Sequence, residues 1–109
     1  MENRFDVDFL QEAMDFLESI DEKARNKIIY NLHKARRFND VELLKKLNDN
    51  IWEFRTLYGK KHYRLFAFWA KDQNRLIIAT HGIIKKTKRT HRKEIEKAEE
   101  LMKKYYEQK

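Results

Sequence analysis

The sequence predicts an α+β fold: a small antiparallel sheet, a three-strand meander plus a short N-terminal strand, with two N-terminal helices and a C-terminal helix. Three observations predict it. Apolar residues recur at three- and four-residue steps before residue 36 and again after residue 94. Between them, three runs alternate or stay apolar and aromatic, as strands do. The joints between those runs are short, which makes the strands antiparallel neighbours.

Residues 3–7 read as a short first strand, with Phe5 and Val7 on one face. A helix follows, carrying Phe9, Leu10, Ala13, Phe16 or Leu17, and Ile20, with Asp8 as its expected N-cap. Ser19-Ile20-Asp21 breaks it. Ala24, Ile28, Leu32 and Ala35 then form the stripe of a second helix, so the two make a helical hairpin. Residues 40–47 read as a short helix or turn. Ile51 to Leu57 alternates, His62 to Trp69 is aromatic-rich, and Leu76 to His81 is at first continuously apolar. The last helix starts near Thr90 as N-cap, with Ile95, Ala98, Leu101, Met102 and Tyr105 on one stripe. The helices are expected on one face of the sheet. The other face, left partly open, is the expected place for function.

A chain of 109 residues is read as one domain, 1–109. The absence of cysteine excludes disulfides and thiolate chemistry. No apolar run approaches the roughly 18–20 residues of a membrane span, and the N-terminus lacks a secretory signature. A soluble, cytoplasmic protein is expected. Residues 1–50 carry 9 Lys and Arg against 11 Asp and Glu; residues 51–109 carry 16 against 7. The basic character thus belongs to the second half and suggests one anion-facing surface. It is densest from His81 to Lys93, where six of thirteen residues are basic and none is acidic. Positive charge held beside a sheet suggests a phosphate site, and in a chain this small nucleic acid is the expected phosphate carrier.

If Gly59-Lys60 forms a two-residue turn, Arg55 lies directly across from Arg64. Like charges facing each other destabilise a sheet, so the pair suggests a phosphate clamp. Pairing with Glu53, or plain solvent exposure, would also account for it. Lys85, Lys86, Lys88 and Arg89 add charge at the end of the third strand. His81, beside Gly82, is placed to act as acid or base, although a lone histidine is more often structural. Phe66 and Phe68 share parity with Arg64, so they either stack on bases or fill a core. No metal-ligand spacing, Gly-rich phosphate loop or serine elbow is present.

Three stretches together resemble a known family: Ile51-Trp52-Glu53-Phe54-Arg55, Tyr63-Arg64-Leu65-Phe66-Ala67-Phe68, and Ile77 through Thr87 with its His81-Gly82-Ile83-Ile84-Lys85-Lys86 core. In motif and spacing they resemble the RelE-like toxins, and within them the phage-derived, HigB-type subgroup. The resemblance covers about residues 47–102. Ile84 stands where that subgroup usually has Phe, and Arg89-Thr90-His91 where it has Lys-Thr-Pro; neither change removes a charge.

The resemblance implies a RelE-like fold and the toxin of a type II toxin–antitoxin system. It further implies a ribosome-dependent, metal-independent mRNA endonuclease working by 2′-OH attack on the scissile phosphate, with no cofactor. Implied partners are mRNA in the ribosomal A site, ribosomal RNA, and a cognate antitoxin of helix-turn-helix type. On this reading Arg55 and Arg64 clamp phosphate, Lys85 and Lys86 stabilise charge, and His81 is a further acid–base candidate. Lys60, Lys61, Lys88, Arg89 and Arg92 would hold RNA backbone. A non-catalytic RNA- or DNA-binding module and a protein-interaction module are the competing readings.

Overall fold

In the computed structural model, which describes residues 3–71, 73–87, 89 and 92–108, the pattern folds into β1 (Asp6–Phe9), α1 (Gln11–Ser19), α2 (Glu22–Arg37), β2 (Leu44–Lys46), β3 (Ile51–Tyr58), β4 (Lys61–Trp69), β5 (Leu76–Lys85) and α3 (Arg92–Glu107). The strands form a single mixed sheet in the order β1-β5-β4-β3-β2. The α+β class is the expected one, with two differences in the sheet. β1 lies parallel to β5, with Asp6 opposite Leu76 and Phe9 opposite Ala79. And residues 40–47, expected as helix or turn, supply a fifth strand, Leu44–Lys46, after a turn. Asp40 O accepts from the Leu43 and Leu44 amides there, both at 3.0 Å, and Leu44 then pairs with Phe54.

The first strand starts three residues later and ends two later than the expected 3–7. This displaces the expected cap of α1. Asp8 is held extended opposite Ile78, the residue before the helix is Leu10, and the Leu10 amide donates to Ala79 O at 2.9 Å. α2 is capped as its sequence indicates. The Asp21 carboxylate accepts from the amides of Lys23 and Ala24, at 3.1 and 3.3 Å, while Lys34, Arg36 and Arg37 complement the dipole in the last turn. The Thr90 cap expected for α3 lies outside the described residues.

The β3–β4 hairpin turns on Gly59 and Lys60, with φ of 57° and 65°. Both residues are left-handed, as a type I′ turn requires. The register that follows sets Arg55 opposite Arg64.

Helices cover both faces of the sheet, not one. α1 and α2 pack Ala13, Leu17, Ala24, Ile28, Leu32 and Ala35 against Phe54, Leu65, Ala67 and Ile77. α3 covers part of the opposite face, packing Ile95, Ala98, Met102, Tyr105 and Tyr106 on Ile51, Phe66, Phe68 and Ile78. The run Leu76-Ile77-Ile78-Ala79 is apolar at every position because both of its sides are buried. Phe66 and Phe68 are therefore core residues, each fully buried, and are not available to stack on bases. Tyr106 also anchors the helix end, its hydroxyl accepting from the Lys71 amide at 2.7 Å.

β5 contains a bulge. Leu65 pairs with Gly82 and Ala67 with Ala79, so Thr80 and His81 together oppose the single Phe66. Beyond it, Gly82 lies hard against the Phe16 ring of α1, where a Cβ would collide with three ring carbons. Gly82→Ala is expected to destabilise the protein by about 1–3 kcal/mol through overpacking, measured as a lowered urea midpoint with an unchanged m-value.

Candidate functional site

The α3-facing side of the sheet changes character from one end to the other. Read across β3, β4 and β5, the first row is Ile51, Phe68 and Ile78, roofed by α3. The second is Glu53, Phe66 and the bulge pair Thr80–His81. The third is Arg55, Arg64 and Ile83; the fourth is Leu57, His62 and Lys85. Apolar packing thus gives way to charge as the sheet emerges from under the helix.

The centre of the third row holds Arg64, only 2% exposed, with its Nε 3.9 Å from Glu53 Oε2. Arg55, nearer solvent, brings its Nε to 3.5 Å from Glu53 Oε1. The Glu53 pairing, which the sequence offered as an alternative to a clamp, is present: one buried carboxylate lies within 4 Å of the Nε of both arginines. The Arg55 Nε has no hydrogen-bond partner. Burial weighs against the Arg64 charge, Glu53 supports it, and Arg55 weighs against it again.

Lys85 completes the cluster. The residue is 8% exposed, and its buried Nζ has no hydrogen-bond partner. Burial pushes its pKa down, Arg64 pushes it further, Glu53 and Glu94 oppose the shift, and Arg89 adds to it. A buried ammonium without an acceptor carries a desolvation penalty that an anion would relieve. Three cations converge here on one buried carboxylate, with a weaker contribution from Glu94. The cluster is built to receive negative charge.

His81 lies one row inside. It is 2% exposed and stacks on Phe66 at 4.8 Å between ring centres, 17° from parallel. Its Nδ1 is 3.1 Å from Thr80 Oγ1 and its Nε2 is 3.2 Å from Glu94 Oε1. Both nitrogens are engaged, so the ring ties the start of α3 to the sheet. Burial is the main cause of its lowered pKa; Lys97 acts in the same direction, while the hydrogen bond to Glu94 and the charges of Glu94 and Glu12 oppose it.

The remaining sequence candidates are more dispersed. Lys86 is exposed on the loop after β5 and lines a cleft of about 320 Å³ with Ile83, Lys85, Lys93 and Glu94. Lys60 and Lys61 are exposed at the hairpin tip, and Arg89 is exposed beyond β5. Arg92 projects from α3, its Nε 3.4 Å from Glu96, and is not part of the cluster. Lys88 lies outside the described residues. Sequence reasoning gave Glu53 only as a possible partner and missed Glu94. Glu53 shares parity with Arg55 two residues on, a signal that could have found it. Glu94 is thirteen residues from His81, and no spacing rule joins them. Among the described residues, no group of three or more His, Asp and Glu side chains is placed to hold a metal ion. Nor does any helix there have the length and apolarity to cross a membrane.

Residues 15–103 match the family of phage-derived, Gp49-like proteins. The chain belongs to that family. Among solved structures, this Gp49-like protein is similar to a chain of the intact E. coli RelBE toxin–antitoxin complex. The TM-score is 0.57 at 16% sequence identity, over 78% of this chain and 99% of that one. At that identity the likeness is one of fold, and the RelE-like architecture expected from the motifs is the one the Gp49-like chain adopts. No curated protein sequence is significantly similar to it.

Two solution properties follow from this geometry. Because the folded pKa of His81 lies below its unfolded value, the neutral ring supports folding above pH of about 6.5, and that support declines as pH falls from there toward the folded pKa. Urea unfolding between pH 7.5 and 5 is expected to show stability falling on acidification, with a shallower slope in His81→Gln. Glu53→Gln leaves the buried Arg64 and its neighbour Arg55 without their carboxylate and is expected to cost about 3 kcal/mol. Added sulfate should raise the Tm of that variant more than that of the wild type, as followed by circular dichroism.

Proposed function

We propose that this Gp49-like protein is the toxin of a type II toxin–antitoxin pair, of the HigB type, and that it cleaves mRNA on the ribosome. The observation that carries the reading is Lys85: a buried, unpartnered ammonium next to a paired Arg55 and Arg64 at the open end of the sheet. That arrangement suits a phosphate diester whose charge increases during reaction. The likeness to a chain of the RelBE toxin–antitoxin complex supports a cognate antitoxin as partner, here of helix-turn-helix type. The whole chain, 1–109, acts as one toxin domain in the cytoplasm.

The chemistry asks little of the protein beyond placement and charge. The RNA 2′-oxygen forms a bond to the adjacent phosphorus, and the bond from phosphorus to the leaving 5′-oxygen breaks. The products are a 2′,3′-cyclic phosphate and a 5′-hydroxyl. One proton must leave the 2′-hydroxyl and one must reach the 5′-oxygen. Arg55 and Arg64 hold the non-bridging oxygens and favour the dianionic transition state over the monoanionic ground state, which is how fixed donors accelerate a reaction. Lys85, its pKa lowered, is suited to neutralise that charge and to exchange a proton. Lys86 stabilises charge from the neighbouring cleft. Glu53 positions the arginines, and His81 with Glu94 fixes the start of α3; any part of His81 in proton transfer runs through Glu94. Lys60, Lys61, Lys88, Arg89 and Arg92 hold ribosomal RNA backbone, supplying affinity that weakens with salt. The nucleophile belongs to the RNA, so the reaction calls on no cofactor.

The test is a brief pulse of expression with mRNA 5′ ends mapped, with and without a translation block. Cuts are expected within translated frames and should vanish when translation stops. Arg55→Ala and Lys85→Met should each lower cleavage by about 10²–10³-fold. Lys85→Met should also raise the Tm, because it removes a buried ammonium without an acceptor. Gain of stability with loss of cleavage separates function from folding. No new ends at confirmed soluble expression would leave the cluster as the anion site of a non-catalytic RNA- or DNA-binding or protein-interaction module.

A further inference from the structure

Beside the arginine pair, on the side away from Lys86, Glu42, Arg55, Leu57, His62 and Arg64 enclose a separate cleft of about 170 Å³ with Thr56. Its walls differ in kind. Arg55 and Arg64 form one side. Leu57, 60% exposed, and His62, its direct cross-strand partner, form an apolar and aromatic floor. Glu42, from the turn before β2, supplies a carboxylate at the rim.

Each wall is odd on its own. A large aliphatic side chain in the outermost row of a charged sheet end covers no core. A carboxylate beside an anion site repels the anion. Together they match the three parts of one nucleotide: guanidiniums for the phosphate, a flat apolar platform for the face of a base, and a carboxylate for hydrogen-bond donors on the edge of a base. The spacing agrees, since Arg55 and Leu57 are two residues apart on one strand face, about 7 Å, a span that a ribose can bridge.

We propose that this cleft is a nucleobase subsite that takes a base with an exocyclic amino group, guanine above others, from a nucleotide flanking the clamped phosphate. An ionised carboxylate only accepts hydrogen bonds. Guanine presents two adjacent donors on its Watson–Crick edge, N1–H and N2–H, which meet both carboxylate oxygens. Cytosine and adenine offer one amino group beside an acceptor. Uracil offers a single donor between two carbonyls, which face the carboxylate unfavourably. Glu42 is thus a specificity-determining residue, and Leu57 and His62 form the stacking platform. The proposal rests on the reading of Arg55 and Arg64 as a phosphate clamp.

Titration of the free protein, followed by NMR, separates the two. The probes are inorganic phosphate, guanosine 3′-monophosphate and uridine 3′-monophosphate, each against wild type, Glu42→Gln and Leu57→Ala. All three probes should shift the Arg55 and Arg64 signals. The guanosine nucleotide should bind wild type at least fivefold more tightly than the uridine nucleotide and should also shift Leu57 and His62. Glu42→Gln should erase that preference without weakening phosphate binding. Leu57→Ala should weaken both nucleotides several-fold and leave phosphate unchanged. Equal binding of the two nucleotides by wild type, or a preference that survives in Glu42→Gln, overturns the base subsite and leaves the clamp standing. Failure of inorganic phosphate to shift Arg55 or Arg64 overturns the clamp, and the subsite with it.

Discussion

Two arginines face each other across neighbouring strands, and much of this molecule is arranged around that unfavourable fact. Side chains directly opposite on one sheet face are close enough for like charges to repel, and Arg64 sits where little water can screen them. Glu53 answers the repulsion from the next row, but a single carboxylate cannot balance two guanidiniums and the Lys85 ammonium. The surplus has to be carried by the rest of the fold. Below the charged rows, both faces of β3, β4 and β5 are packed against helices, and that burial of apolar area is the main source of folding free energy. The charged end is what the buried end makes tolerable.

The same opposition explains why the hairpin was legible in sequence. Gly59 permits a two-residue turn with positive φ, a turn of that length leaves one register, and the register places Arg55 on Arg64. The chain of reasoning is local at every step. Residues 44–46 gave no such purchase: a strand of three residues shows one alternation at most, and Leu43, Leu44 and Leu47 suit a helical stripe equally well. Asp8 is a good capping residue by type, but parallel pairing to a strand nearly seventy residues later holds it extended. A three-residue pairing to the next strand decided the first case and a long-range pairing the second, and neither leaves much trace in a short window.

The placement of α3 was the larger misreading. Its stripe was plain, but a stripe says which face is buried and nothing about which side of the sheet receives it. The uninterrupted apolar run of β5 and the matching parity of Ile51, Phe66 and Phe68 already required a cover on the second face. With that cover in place, the open area shrinks from a whole sheet face to its last two rows. Of the candidate site residues named in advance, Arg55, Arg64 and Lys85 are the ones that those rows bring together. Those that only a folded chain identifies, Glu94 above all, owe their place to α3.

The bulge at Thr80 and His81 does more than kink an edge. Strand side chains alternate, so the extra residue resets the phase of everything that follows in β5. It is this reset that puts Lys85 on the side of Arg64 and turns Gly82 toward Phe16. Strand β5 behaves as two segments read in different frames, the first in phase with the core and the second with the site. Straightening the bulge with every residue kept would exchange the faces downstream: Ile84 would enter the cation cluster, Lys85 would turn to the helical-hairpin side, and no side chain need change for the site to disappear. The irregularity of this strand therefore matters to the site as much as the identity of any charged residue on it.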